Sequence, residues 1–132
     1  MAWKVKISAQ EIGLLLEAGF IYRYAGKFDK AREIFKGVRA LRPKDEVPQI
    51  ALGTVSFEEG QFDRAVEEYK QAIGLNPRSA YAYAQLGEAQ MFLKQYSEAS
   101  ISLRKAAELD QAGEFGRFAR SLLSLKDKIE AS

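Results

Sequence analysis

A chain of 132 residues with 47% hydrophobic and 29% charged side chains and only three prolines has the composition of one ordinary globular domain, not of a disordered chain. It contains no cysteine and no histidine, which removes disulfides, thiol nucleophiles, the usual zinc sites and imidazole bases, and with them most enzyme chemistry. The formal net charge of +2 comes from lysines and arginines interspersed with acids, so no stripe for nucleic-acid phosphates forms, and neither a cofactor nor a membrane-inserted segment is expected.

The chain opens with Ala2-Trp3-Lys4-Val5-Lys6-Ile7, which alternates like a strand but is too short to stand alone. Residues 1–8 are therefore expected to form an arm, either free or borrowed by a partner or a second copy. Met1 to Gln10 lacks the apolar run of a signal peptide, and a cytoplasmic location is the expectation. Ser8 followed by Glu11 has the form of a capping box, with Ile7 and Ile12 placed as a hydrophobic staple, so a first helix is predicted to begin near Ala9. Leu15 and Tyr22 then fall on one helical face beside the small residues Ala18 and Gly19. Gly26-Lys27-Phe28-Asp29 reads as a turn into a second helix, with Asp29 expected to supply the capping oxygen and Phe28 an aromatic plug. Ala31, Phe35 and Val38 give that helix its apolar face, and Pro43, which has no amide hydrogen, terminates the segment.

The same text then returns. Gly19, Gly53 and Gly87 stand at an interval of 34 residues, as do Ala31, Ala65 and Ala99, and Pro43 and Pro77. The second copy carries Leu52, Gly53, Ala65, Tyr69 and Ala72 around the turn Gly60-Gln61-Phe62-Asp63. The third carries Tyr83, Leu86, Gly87, Ala99, Leu103 and Ala106 around Lys94-Gln95-Tyr96-Ser97, with Gln111 where the proline would fall. Small residues at Gly19, Ala31 and their equivalents let paired helices approach closely, and larger neighbours such as Leu15, Tyr22, Phe35 and Val38 fill the space they leave. The interval divides the chain into repeats at 9–43, 44–77 and 78–111. In 112–132, Gly113 opens an amphipathic pattern over 114–130, with Phe115, Phe118, Ala119, Leu122, Leu123, Leu125 and Ile129 on one side. It is read as a cap over the last hairpin, whose face a stack of repeats leaves bare.

Over residues 12–111 this pattern resembles the tetratricopeptide-repeat family, with Ser56 and Gln90 at the positions equivalent to Tyr22 and Gln49 in place of a large apolar residue. The resemblance implies an all-α fold: three helix-turn-helix repeats in a right-handed superhelix plus a C-terminal capping helix. The first helix of each pair would line a concave groove. Its inward positions are Leu16, Phe20, Arg23 and Tyr24; Ile50, Thr54, Phe57 and Glu58; and Tyr81, Ala84, Glu88, Met91 and Phe92. In the best-known groove of the family, lysine, asparagine and arginine grip the terminal carboxylate of heat-shock chaperones. Leu16, Phe20, Thr54, Ala84 and Glu88 stand at those places, so capture of an acidic chain terminus is not expected. The three repeats, the arm, the aromatic turns at Phe28, Phe62 and Tyr96 and the closing Glu114-Phe115 helix also resemble the class II chaperones of bacterial type III secretion. Those proteins hold hydrophobic translocator subunits in the cytoplasm by a short proline-containing segment; Phe20 matches their inner aromatics, while Leu16 and Arg23 depart.

The implied function is a non-catalytic chaperone or adaptor that holds a protein or peptide segment with apolar anchors. Each buried anchor contributes about 1.5–3 kcal/mol against an association cost of about 4–15 kcal/mol, so several must act together. Met91 and the broad rings suit varied apolar partners, and Arg23 and Glu88 would fix orientation. The alternative is a scaffold module that assembles a larger complex through its convex face, its capping helix or self-association as a homodimer. The acidic pairs Glu58-Glu59 and Glu67-Glu68 read as solvated helix faces, and Ser97, Ser100 and Ser102 have no histidine to activate them.

Overall fold

The computed structural model describes residues 6–132; Trp3 and Val5 of the expected arm lie outside the described residues. Seven helices follow one another: α1 Ala9–Tyr24, α2 Phe28–Leu41, α3 Glu46–Glu58, α4 Phe62–Leu75, α5 Ala80–Phe92, α6 Tyr96–Leu109 and α7 Glu114–Ala131. Among the described residues there is no strand. Each helix packs on the next, and α3 also touches α5, and α5 touches α7, across the helix between them. The even-numbered helices make no comparable contact among the described residues. The odd helices therefore form an inner layer and the even ones an outer layer, and the array bends around the inner one.

The repeat interval has a steric basis. Phe35, Tyr69 and Leu103, all fully buried, lie over Gly19, Gly53 and Gly87 of the preceding helix in each hairpin. A methyl group at Gly53 would stand 2.5 Å from Tyr69 Cε1, and one at Gly87 2.5 Å from Leu103 Cδ2. Repeat positions that are core in the interior become surface at the N-terminal edge. Gln49 and Ser56, the equivalents of Leu15 and Tyr22, are 3% and 0% exposed because α2 covers them. No hairpin precedes α1 in the described chain, so Leu15 and Tyr22, expected in the core, instead line an open recess with Ile34, Val38 and Leu41.

The three polar departures from the apolar pattern are each satisfied across a hairpin or between hairpins. Gln49 accepts from Arg39 Nη1 at 3.1 Å and donates to Glu68 O at 3.2 Å and Gln71 Oε1 at 3.0 Å. Ser56 donates to the Glu68 carboxylate, and Ser102 donates to Gln90 Oε1 at 2.7 Å. Buried polar groups persist where they are paired in this way. The acids expected to form solvated faces are likewise used. Glu58 pairs with Arg23 at 3.1 Å, Glu59 with Arg32, and Glu68 with Arg64 at 3.5 Å, while Glu67 is exposed. The first two join neighbouring hairpins, because the end of α3 lies beside the end of α1 and the start of α2.

Helix ends follow the sequence in part. The Glu11 N–H donates to Ser8 Oγ at 3.1 Å and the Ser8 N–H to Glu11 Oε1 at 3.3 Å, completing the capping box. Ile7 and Ile12 line one recess with Leu41 and Arg42, and Arg42 Nη2 donates to Ile7 O at 3.3 Å. Asp29, Asp63 and Ser97 do not cap. The N-cap residues are Lys27, Gln61 and Gln95, without side-chain bonds, because the preceding helix closes directly onto them. In the first turn the Gly26 N–H donates to Arg23 O at 2.9 Å and the Lys27 N–H to Tyr22 O at 2.8 Å, the Schellman pattern, repeated at Gly60 and Lys94. Asp29 is thus already inside α2 and offers its charge to the helix N-terminus and, at 4.0 Å, to Arg32. Gly26 (φ 75°) and Gly60 (φ 80°) suit the left-handed turn; Lys94 holds it at φ 61°, where a side chain costs about 1–2 kcal/mol.

The cap is anchored by Asp110, whose carboxylate accepts from the amides of Gly113 at 2.9 Å, Phe115 at 3.1 Å and Gly116 at 3.2 Å. Phe115, Phe118, Leu122 and Leu123 of α7 pack on a buried cluster of Ala84, Ala99, Leu103, Ala106 and Ala119. Leu125 and Ile129, expected on the covered side, are 48% and 41% exposed. α7 has 18 residues and α6 has 14, and the end of α7 is left outside the interface.

One substitution tests the nesting directly by giving opposite signs at two glycines. Gly37 lies mid-helix where an added methyl group would meet no neighbouring atom within 4 Å, so Gly37→Ala should raise stability by about 0.5–1 kcal/mol. Gly53→Ala should lower it by about 1 kcal/mol or more, the clash with Tyr69 outweighing the same helix-propensity gain. Denaturant unfolding of the two variants reads both signs.

Candidate protein-binding groove

The inner layer brings aromatic rings together from four helices. On α5, Tyr81, Gln85, Glu88 and Phe92 follow at the spacing of one helical stripe. At its far end Phe92 meets Phe57 of α3 with ring centroids 4.9 Å apart at 86°, and Phe62 at 5.0 Å. At its near end Tyr81 stacks on Phe115 of α7, 4.6 Å between centroids and 16° between planes. Gln85, Glu114, Phe115 and Phe118 line a recess beside that stack. On α1, Phe20 leans on Phe35 at 5.3 Å, and the Arg23 guanidinium lies 4.9 Å from the Tyr24 ring centroid and 5.6 Å from that of Phe20.

A polar chain runs beneath the stripe. Thr54 Oγ1 donates to Ile50 O at 3.2 Å, and so accepts from the Tyr69 hydroxyl at 3.0 Å, with Gln85 Nε2 at 3.5 Å. Burial pushes the Tyr69 hydroxyl well above its ordinary pKa and keeps it protonated, able to donate. Burial also raises Tyr81, opposed by Arg23 and assisted by Glu114 and Tyr24, which places α1, α5 and the start of α7 in one electrostatic neighbourhood. The Glu88 carboxyl is raised by burial alone and has no ion pair among the described residues.

The residues expected to line the groove divide into three groups. Ile50 and Ala84 are 0% exposed and Thr54 is 6% exposed, so these three present no open surface. Ile50 and Ala84 lie in the first half of α3 and α5, where the next odd helix covers the inward face: Ile50 sits with Val66, Tyr69 and Leu86, and Ala84 against α6 and α7; Thr54, further along α3, is closed off by Tyr69 and Gln85. Leu16, Phe20, Arg23, Phe57, Tyr81, Glu88 and Met91 are half-buried. Tyr24 and Phe92 are 84% and 57% exposed, and Glu58 is exposed and paired with Arg23. Gln85, Phe62, Phe115 and Phe118 were not expected here. Phe62 and Phe115 had been read as turn and cap packing, and only the proximity of α7 to α5 makes the cap a wall of the groove.

Tetratricopeptide-repeat sequence models match residues 14–45, 53–91 and 80–112. The chain belongs to the tetratricopeptide-repeat family. Repeats of this family are non-catalytic protein-binding modules, and the helical array is theirs. Among solved structures, the Yersinia enterocolitica type III secretion translocator chaperone SycD superposes on this repeat protein with a TM-score of 0.83 at 20% identity, covering 97% of this chain and 100% of that one. Pseudomonas aeruginosa PcrH, in complex with the chaperone binding region of PopD, gives a TM-score of 0.79 at 20% identity, covering 97% and 99%. The first tetratricopeptide domain of Spaghetti (RPAP3), bound to the HSP90 peptide SRMEEVD, gives 0.80 at 23% identity, covering 98% and 100%. No curated protein sequence matches the chain. At these identities the shared property is the fold. Among the described residues, no helix is long and apolar enough to cross a membrane.

The state of Glu88 has a measurable consequence. Its folded pKa lies above the unfolded value, so the ionised form destabilises the fold, and stability is gained as pH falls through the raised pKa. Glu88→Gln should therefore be more stable than the parent at neutral pH. The difference should shrink on acidification and close below the ordinary carboxylate range, where both states of the parent are protonated. Thermal unfolding of the pair across that range checks the sign.

Proposed function

We propose that the chain is a cytoplasmic chaperone or adaptor that holds an apolar segment of a partner protein against the inner layer. The observation that carries this reading is the Phe57–Phe62–Phe92 cluster. Its rings are held by two edge contacts and one tilted contact at 4.9–5.2 Å, yet Phe92 leaves 57% of its surface bare at the rim of the inner face. A pre-set apolar shelf favours binding because little ordering remains to be done when a guest arrives. The lysine and arginine ring that would hold a chain-terminal carboxylate is replaced at its positions by Leu16, Phe20, Thr54, Ala84 and Glu88. This favours an internal apolar stretch over an acidic tail such as the one bound by the RPAP3 domain. The PcrH–PopD complex supports the same direction, as a relative in fold that carries a segment of another protein.

The test begins by isolating the native partner and mapping the segment that the chain protects from protease. Tyr24→Ala with Phe92→Ala removes two exposed rings and should leave helical circular dichroism unchanged. Each ring contributes about 1.5–3 kcal/mol, so affinity for the protected segment should fall at least tenfold. Unchanged affinity would remove the groove from the proposal.

A second reading, assembly through the N-terminal edge, is favoured by one observation. Leu14 and Ile21 on the outer face of α1 are 60% and 68% exposed, next to the recess lined by Leu15 and Tyr22. If that edge is a self-association surface, light scattering should give an oligomer that Leu14→Lys with Ile21→Lys converts to a monomer. A parent that is already monomeric excludes self-association through this edge.

A further inference from the structure

We infer that the segment held in the groove carries a lysine or arginine among its apolar residues, and that Glu88 receives it. This rests on the reading of the groove given above and adds to it the chemistry of the guest. The inner face presents few charges, and they are unequal. Arg23 is already neutralised: its Nη1 lies 3.1 Å from Glu58 Oε1 and its guanidinium is covered by the rings of Phe20 and Tyr24. Glu88 differs. It is half-buried on the stripe between Gln85 and Phe92, and among the described residues its carboxylate takes part in no ion pair or side-chain hydrogen bond. The polar groups below it are committed elsewhere, since the Gln85 amide reaches Thr54 and the Tyr69 hydroxyl donates to Thr54. Burial raises the Glu88 pKa, and no neighbouring cation brings it back down.

An uncompensated carboxylate on an apolar wall discriminates between guests. A neutral apolar segment laid over Glu88 would strip more water from the charge and return nothing, and an acidic one would add repulsion. An ammonium or guanidinium at that point supplies the missing counter-charge in a partly desolvated setting, where charge-assisted bonds are strongest. The rings of Phe57 and Phe92 on one side, and of Phe115 and Phe118 on the other, remain for the apolar residues that flank it. The fitting guest is therefore an apolar segment interrupted by a cation, with Glu88 setting its register along α5.

Short peptides built from Leu, Val, Phe, Ala and Pro, with a central position held as Lys, Gln or Glu in three separate pools, provide the probe. Titration against the full chain should show the Lys pool binding roughly tenfold more tightly than the Gln pool, and the Glu pool more weakly than both. Glu88→Gln should erase the Lys preference while leaving the Gln pool bound at least as well as before, and Glu88→Lys should shift preference to the Glu pool. Binding of all pools without a Lys preference, or a preference that survives in Glu88→Gln, overturns the role of Glu88 and leaves the apolar groove standing. If no pool binds the parent, the groove reading and this inference fall together.

Discussion

The seating of Phe35 on Gly19, Tyr69 on Gly53 and Leu103 on Gly87 sets the distance between the two helices of every hairpin, and the rest of the molecule follows from that distance. With no side chain at the glycine, the large residue of the second helix reaches the first helix's backbone and is wholly enclosed. Hairpins held this closely present flat faces to their neighbours. They stack with the odd helices nearer to one another than the even ones, as the α3–α5 and α5–α7 contacts show. Curvature, and with it a concave surface, is a consequence of close nesting in one layer and looser spacing in the other.

Stacking also decides which inward residues remain available. In the interior repeats, the beginning of each odd helix is covered by the next odd helix, and Ile50 and Ala84 pass into the core. Toward the ends of the same helices the layer opens. Arg23, Phe57, Glu88 and Phe92 keep part of their surface there, and Tyr24 most of its own. Asp110 collects three backbone amides at the start of α7 and so fixes the point from which Phe115 stacks on Tyr81. Together with the packing of Phe118, Leu122 and Leu123, this contact sets the capping helix against the inner layer.

Polar residues inside the array serve alignment between hairpins. Gln49 joins Arg39 of one hairpin to Gln71 and the Glu68 carbonyl of its own, and the Arg23–Glu58 and Arg32–Glu59 pairs tie the first hairpin to the second. Apolar contacts alone would tolerate sliding between helices; directional bonds at these points do not. The Nε atoms of Arg23 and Arg32 lack a hydrogen-bond partner, but both guanidinium groups are ion-paired; Glu88 is a charge on the inner face with no ion pair among the described residues.

The sequence alone determined the repeat, the helix order, the capping box at Ser8 and the existence of a final amphipathic helix. Each depends on spacing within a few residues or on a strict interval of 34, and both survive in a one-dimensional text. It misplaced the caps of the second helices, because a Schellman closure and a side-chain cap compete for the same turn and backbone geometry chooses between them. It could not tell Ile50, buried, from Phe92, exposed, since both occupy inward positions of the repeat and differ only in what the neighbouring helix covers. It also placed Leu15 and Tyr22 in a core, where among the described residues they line an open recess. Which inward side chains stay exposed was therefore decided by tertiary structure, for the physical reason that exposure belongs to the stack and periodicity belongs to the helix.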